Sequence, residues 1–172
     1  MRLFHDLGYD ATTVEQIAEA AEVSPSTFFR YFRTKEDVFL YDPFDPVLIE
    51  ALRRQPATLS PIRAIRASFQ AVFDAMPVDE RARQEERSSL IFSVPELRMR
   101  MMDQMMSGVR AFTDALAERM GRPADDDAVK VIVGAVLGVS LAMILPSLES
   151  GLSNTFAKID RGLALLETGL RT

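Results

Sequence analysis

The sequence predicts an all-α protein, with a helix-turn-helix head over residues 1–41 followed by a larger helical body over residues 42–172. Three observations predict it. Helix-start signatures follow one another three times between Thr12 and Asp37. Apolar residues then recur at helical spacing through most of the remaining chain. No alternating β-branched run and no Asn-Gly or Asp-Gly hairpin turn occurs in the 172 residues.

Met1 to Leu7 reads as a short helix closed by Gly8. Thr13 and Gln16 make a capping box, so a helix starts at Val14 with Val14, Ile17, Ala18 and Ala21 on one apolar face. Ser24 and Pro25 give the next start, a hydroxyl N-cap before a residue whose fixed φ and missing N–H suit the first helical position. Only Glu22 and Val23 remain for the turn, which forces the two helices to cross steeply. On the second helix Phe28, Tyr31 and Phe32 are expected to pack inward, leaving Ser26, Thr27, Phe29, Arg30 and Arg33 outside. Thr34 with Asp37 is a third capping box, opening a helix expected over Lys35 to Tyr41. Small hydroxyls and an aromatic at the start of a helix, flanked by cations, are what a major-groove reader needs: short side chains for base edges and charge for phosphates.

Leu3-Phe4, Gly8-Tyr9, Thr12-Thr13-Val14, Ile17-Ala18, Val23-Ser24, Thr27-Phe28, Tyr31-Phe32 and Lys35-Glu36-Asp37 together resemble the TetR family of bacterial one-component transcriptional regulators. The resemblance covers the first quarter of the chain. It implies a homodimeric repressor, released from a pseudo-palindromic double-stranded operator by a small, largely apolar effector. Candidates for base edges are Ser26, Thr27 and Phe29, with Ser24 at the N-cap and Arg30 between base and phosphate. Thr13, Tyr31 and Lys35 are phosphate candidates by their place in the family motif, against the plainer roles of N-cap for Thr13 and core residue for Tyr31. Three features depart from the family. Glu22 stands where a turn glycine is usual, so a turn of different shape is expected, because a left-handed backbone strains a residue with a Cβ. Phe29 stands where Tyr is usual and offers only an apolar edge. Relatives also carry a basic arm and a full first helix ahead of Leu3, which implies either an upstream start or a shortened form.

In the body, Asp42 to Asp45 reads as the hinge, with Pro43 and Pro46 interrupting the pattern before Val47, Leu48, Ala51 and Leu52 resume it. Ile62, Ile65, Phe69, Val72, Phe73 and Met76 stripe a four-turn helix ended by Pro77. Residues 79–87 are densely charged and read as a solvated half-helix that runs into apolar Leu90, Ile91 and Val94. Pro95 opens a long helix, ended by Gly121 and Pro123, that holds five of the nine methionines between Met99 and Met106. Methionine adapts its shape, so Met102, Met105 and Met106 with Phe69, Phe73, Met76, Phe92 and Phe112 are candidates to line a cavity, ordinary core filling being the alternative. Arg63, Arg66, Arg110 and Ser89 are candidates for a polar part of the same ligand.

Val131 to Leu145 carries no charge. A span of about 20 residues is needed to cross a bilayer, and Pro146 and acidic flanks cut this one short, so a helix buried on both sides is expected and no membrane. Gly134, Gly138 and Ala142 recur every four residues on it, and Phe156, Ile159, Leu163 and Leu166 share a face of the last helix, which starts near Ser153. The resemblance implies that these last two helices form the dimer interface; the alternative is that both are satisfied within one protomer.

Composition bounds the chemistry. There is no Cys and one His, His5, which excludes disulfides, thiol nucleophiles and a clustered metal site. Acid pairs such as Glu85-Glu86 are adjacent and point to different sides of a helix. No catalytic residues, cofactor or apolar leader emerge, and a cytoplasmic regulator rather than an enzyme is expected. Net charge is −5 overall, and residues 1–41 hold four basic against seven acidic residues. Phosphate neutralisation supplies much of DNA affinity, so this balance leaves open a dimeric small-molecule-binding protein that does not bind DNA in this form.

Overall fold

The structure is a computed structural model and describes residues 2–40, 44–144 and 155–169. Within them the chain forms helices α1 (Arg2–Leu7), α2 (Val14–Ala20), α3 (Pro25–Tyr31), α4 (Asp37–Leu40), α5 (Phe44–Arg54), α6 (Pro61–Ala75), α7 (Val78–Ser93), α8 (Pro95–Met120), α9 (Asp127–Ile144) and α10 (Thr155–Glu167), and no strand. Tyr41 to Pro43, the expected end of α9 at Leu145 and Pro146, the expected start near Ser153 and the His5 side chain lie outside the described residues.

Two of the three expected helix starts are present as expected, and the third is half formed, with α4 starting at Asp37. The Thr13 hydroxyl accepts from the Gln16 amide at 3.3 Å while the Thr13 amide donates to Gln16 Oε1 at 2.9 Å. Ser24 Oγ accepts from the Thr27 amide at 3.1 Å, with Pro25 in the first turn. Asp37 Oδ2 accepts from the amides of Arg33 at 2.8 Å and Thr34 at 3.2 Å, fixing α4 to the segment that ends α3. Helix α4 is shorter than expected, one turn from Asp37 to Leu40. Helix α5 begins earlier, at Phe44, so Asp45, the last residue of the expected hinge, stands in its first turn with Pro46. Proline is tolerated there because first-turn amides have no intrahelical partner.

The turn between α2 and α3 corrects the expectation for Glu22. Its φ is +55°, the left-handed conformation that the family's glycine would adopt. The Val23 amide donates to Ala18 O at 2.9 Å and the Glu22 amide to Glu19 O at 3.0 Å, the paired bonds of a Schellman ending. These bonds satisfy carbonyls that α2 would otherwise leave open, and they hold Glu22 where its Cβ is disfavoured.

Two apolar clusters organise the packing. The larger joins Leu52 of α5, Ala64 and Ile65 of α6, Leu116 of α8, Val129, Val133 and Val136 of α9, and Ile159 and Leu163 of α10. Helix α10 closes onto α9 at Gly162, where a Cβ would lie 2.6 Å from Val139 Cγ1. The smaller joins Phe4 of α1 and Phe39 of α4 to Ile91 of α7 and Leu97 of α8. Phe4 and Phe39 meet edge to face at 4.3 Å. This second cluster crosses the boundary expected at residues 41 and 42, so the head shares part of its core with the body.

Helix α9 is buried on one side only within the protomer. Val129, Val133 and Val136 face the core, whereas Val131 is 69% exposed and Gly134, Gly138 and Ala142 lie on the open side. The helix is 18 residues long with a mean hydropathy of 2.0, which matches a membrane span by length and composition alone.

Candidate DNA interface and ligand cavity

The head presents α3 outward. Phe28 is buried and Phe32 half-buried beside it, while Phe29 is 53% and Tyr31 70% exposed. Tyr31 is therefore not the core residue that its spacing allowed. Around the start of α3 the hydroxyls form a cluster: Ser24 Oγ lies 2.8 Å from Ser26 Oγ and 3.0 Å from Thr27 Oγ1. The Arg30 guanidinium sits over the Tyr31 ring at 5.2 Å. One exposed surface thus brings together Ser26, Phe29, Arg30 and Tyr31, with Thr27 half-buried beside them. Thr13 is exposed and acts as the α2 cap.

Lys35 is differently engaged from its expected phosphate role. Its ammonium donates to Tyr9 O at 2.7 Å and Thr12 O at 3.0 Å and lies over the Tyr9 ring at 4.2 Å. It clamps the α1–α2 connection onto the start of α4. Beside it the Tyr9 hydroxyl donates to Glu36 Oε1 at 2.5 Å. Burial, then the bond to Glu36 and its charge, push the Tyr9 hydroxyl well above its ordinary pKa. Partial burial by itself would raise Glu36, but hydrogen bonds from Tyr9, Thr34 and its own amide, with Arg100 nearby, outweigh it and hold the carboxyl below the usual range.

Helix α8 grips the head. Gln104 Nε2 donates to Leu40 O at 2.6 Å, and Arg100 lies 3.8 Å from Glu36, 3.7 Å from Asp37 and 3.3 Å from Thr34 Oγ1.

In the body, helices α5 to α10 line a half-open cavity of about 650 Å³, within the range that holds a drug-sized molecule. Phe69, Phe73, Met76, Phe92, Met105 and Phe112 line it, six of the eight candidates named from the sequence. Met102 and Met106 do not. They are 45% and 42% exposed: one residue's step round the helix turns Met106 away from inward-facing Met105, and Met102 away from Met101, which packs on the smaller cluster. Phe156 and Ile159 face the cavity, and Leu163 is buried in the protomer's own core with Leu166 packed against it, so this stripe of α10 does not form an outer surface.

The polar wall also differs from the expected one. Arg66 is bound to Asp160 at 2.9 Å and Glu167 at 2.5 Å, tying α6 to α10, and Arg63 reaches Glu167 at 3.8 Å. Arg110 and Ser89 are exposed and outside the lining. Polar groups come instead from Arg81, Gln84, Glu85 and Ser88 of α7, Asp45 of α5, Ser140 of α9 and Thr155 of α10. Arg81 caps the end of α6, donating to Phe73 O at 2.8 Å and Met76 O at 3.1 Å with its guanidinium 4.0 Å above the Phe73 ring. The α7 lining positions 81, 84, 85, 88 and 92 recur at helical spacing, but their charge reads as a solvated face.

Two short helices joined by a tight turn, the second exposed, and a helical body around an apolar cavity define a regulator of the one-component helix-turn-helix class. Residues 1–41 match the model for bacterial regulatory proteins of the tetR family, and residues 59–171 match the model for the MftR C-terminal domain. The chain belongs to the TetR family of transcriptional regulators. Over 74 residues it is 47% identical to the HTH-type transcriptional regulator TcmR of Streptomyces glaucescens, a stretch that is 42% of this chain. The match spans about a third of that relative's length, 33%. Over its whole length the chain superposes on 91% of Thermus thermophilus FadR, a TetR-family repressor solved with lauroyl-CoA, with a TM-score of 0.57 and 23% identity. At that identity the likeness is one of fold.

Proposed function

We propose that this chain is a homodimeric transcriptional regulator that places α3 in a major groove of a pseudo-palindromic operator and leaves it when a small, largely apolar molecule fills the body cavity. The observation that carries the reading is the pairing of an exposed reading helix with a cavity of about 650 Å³ on the same α8 scaffold. Ser26, Thr27, Phe29 and Arg30 meet base edges and phosphates, with Tyr31 on the backbone. The open side of α9, with Val131, Gly134, Gly138 and Ala142, packs on its symmetry mate. Release follows from a difference in ligand affinity between two spacings of the reading helices. The occupant of FadR, lauroyl-CoA, supports a hydrophobic effector class in a fold of this shape.

Fluorescence anisotropy against the DNA upstream of the chain's own gene, with unrelated DNA as competitor and at two salt concentrations, tests it. Specific binding is expected to weaken about tenfold or more on Thr27→Ala or Arg30→Ala, the size of one lost base contact. Binding that ignores both substitutions overturns the assignment of α3. Absence of binding points to a small-molecule-binding protein that does not read DNA in this form.

A further inference from the structure

Phe29 differs in chemistry from its neighbours on the reading face. Ser26, Phe29 and Arg30 are all exposed and follow one another at i, i+3 and i+4, so they share one face of α3. Ser26 and Arg30 carry hydrogen-bonding groups, whereas the Phe29 ring has none and is 53% exposed. That ring is also held in place. It meets the ring of buried Phe28 edge to face at 5.5 Å, and Phe28 in turn lies 5.4 Å from the ring of Phe32. An ordered apolar surface is thus presented by a helix that contains no acidic residue and is followed by exposed Arg33.

Little in a major groove suits such a surface. Base edges there offer acceptors and amino donors, and a phenyl ring laid on one of these takes it out of water without replacing the hydrogen bond it loses. A phosphate oxygen is no better a partner, because the ring has no donor to give it. The thymine C5-methyl group is the apolar group that distinguishes one base pair from the others in this groove. Burying it against the ring removes apolar surface from water on both partners.

We propose, resting on the operator reading above, that Phe29 reads the 5-methyl group of a thymine in each half-site. Specificity at that position comes from a methyl group and not from a hydrogen bond. Cytosine placed there is bound more weakly, and 5-methylcytosine, which carries the same methyl group, recovers part of the loss.

The test begins by selecting bound duplexes from a random-sequence pool with the full chain, then replaces each thymine of the selected site by deoxyuridine, which deletes only the methyl group. Fluorescence anisotropy is expected to find one position per half-site at which the replacement weakens binding about fourfold, the transfer free energy of one buried methyl-sized group expressed as an affinity. In the Phe29→Ala variant, its helicity checked by circular dichroism, thymine and deoxyuridine are expected to bind alike at that position. Thr27→Ser, which removes a second apolar candidate from the same helix, is expected to keep the wild-type discrimination. With the wild-type chain, 5-methylcytosine at that position is expected to bind about fourfold tighter than cytosine. If no deoxyuridine replacement weakens wild-type binding, if 5-methylcytosine gains nothing over cytosine, or if the discrimination survives Phe29→Ala or is lost in Thr27→Ser, the methyl assignment is overturned while the operator reading stands. If the pool yields no enriched duplex, the operator reading falls and the proposal with it.

Discussion

Replacing Glu22 by glycine should stabilise the protein. Glu22 occupies the left-handed region at φ +55°, held there by the Val23-to-Ala18 and Glu22-to-Glu19 backbone bonds. A residue with a Cβ adopts that conformation at a cost of roughly 1–2 kcal/mol. Glycine removes the cost but adds chain entropy to the unfolded state, worth roughly 0.5–1 kcal/mol. The difference leaves a net gain of about 0.5–1 kcal/mol, or a rise in Tm of about 1–4 °C for a chain of this size. Glu22→Ala is the control, because it removes the same charge and keeps the Cβ. Thermal unfolding followed by circular dichroism at one fixed protein concentration should rank Glu22→Gly above wild type and Glu22→Ala level with it or below. If Glu22→Gly and Glu22→Ala shift together, the effect is one of charge, and the argument from backbone strain is refuted.

Leu163→Ala should cost about 2–5 kcal/mol of unfolding free energy in a urea titration, since the side chain is fully buried in the protomer's core. Val131→Asp, at a site 69% exposed in the protomer, should leave helicity unchanged and convert dimer to monomer in sedimentation velocity; a persisting dimer would move the interface elsewhere. Tyr9→Phe removes a donor from Glu36 and should move acid unfolding to higher pH. The sign follows from Glu36, whose folded pKa lies below its ordinary 4.5, so that its contribution is present above that value and lost as pH falls through the folded pKa. Tyr9 itself is shifted up, so its contribution is present below its ordinary 10.0 and lost only as pH climbs through the folded value. Gln104→Ala, which frees Leu40 O from α8, should leave DNA affinity without ligand within a few-fold while reducing the effect on it of a neutral apolar probe such as N-phenyl-1-naphthylamine, read as the ratio of anisotropy midpoints with and without the probe.

What was legible in the sequence was local. The caps at Thr13, Ser24 and Asp37 are satisfied by groups three or four residues away, so the chain alone fixes them. Direction was harder to read. Tyr31 sits about 60° to one side of Phe28 and Phe32 about 40° to the other. Spacing places both near the buried arc, and the structure has Phe32 half-buried beside Phe28 and Tyr31 exposed. Met105 and Met106 divide in the same way on α8. On α10 a single stripe could have served a partner or the protomer, and contact with α6 and α9 decided for the protomer at Ile159 and Leu163. Arg81 and Glu85 were hidden by their charge. A charged run usually faces water, and nothing within α7 reveals that the end of α6 supplies carbonyl acceptors and an aromatic face for Arg81.

These placements converge on α8. Leu97 packs with Phe4 and Phe39, Arg100 reaches Glu36 and Asp37, Gln104 holds Leu40, Gly108 seats Asp45, and Phe112 lines the cavity. The intervals are three or four residues, so the contacts form one face of one helix. From Leu97 to Phe112 that face runs about 22 Å at the rise of an α-helix. In the regulator proposed above, this face is the route by which an occupant of the cavity would act on Leu40 and Phe39. Coupling between two sites is reciprocal. The proposal therefore requires that operator DNA change the cavity's affinity for its ligand by the same factor by which the ligand changes the affinity for DNA.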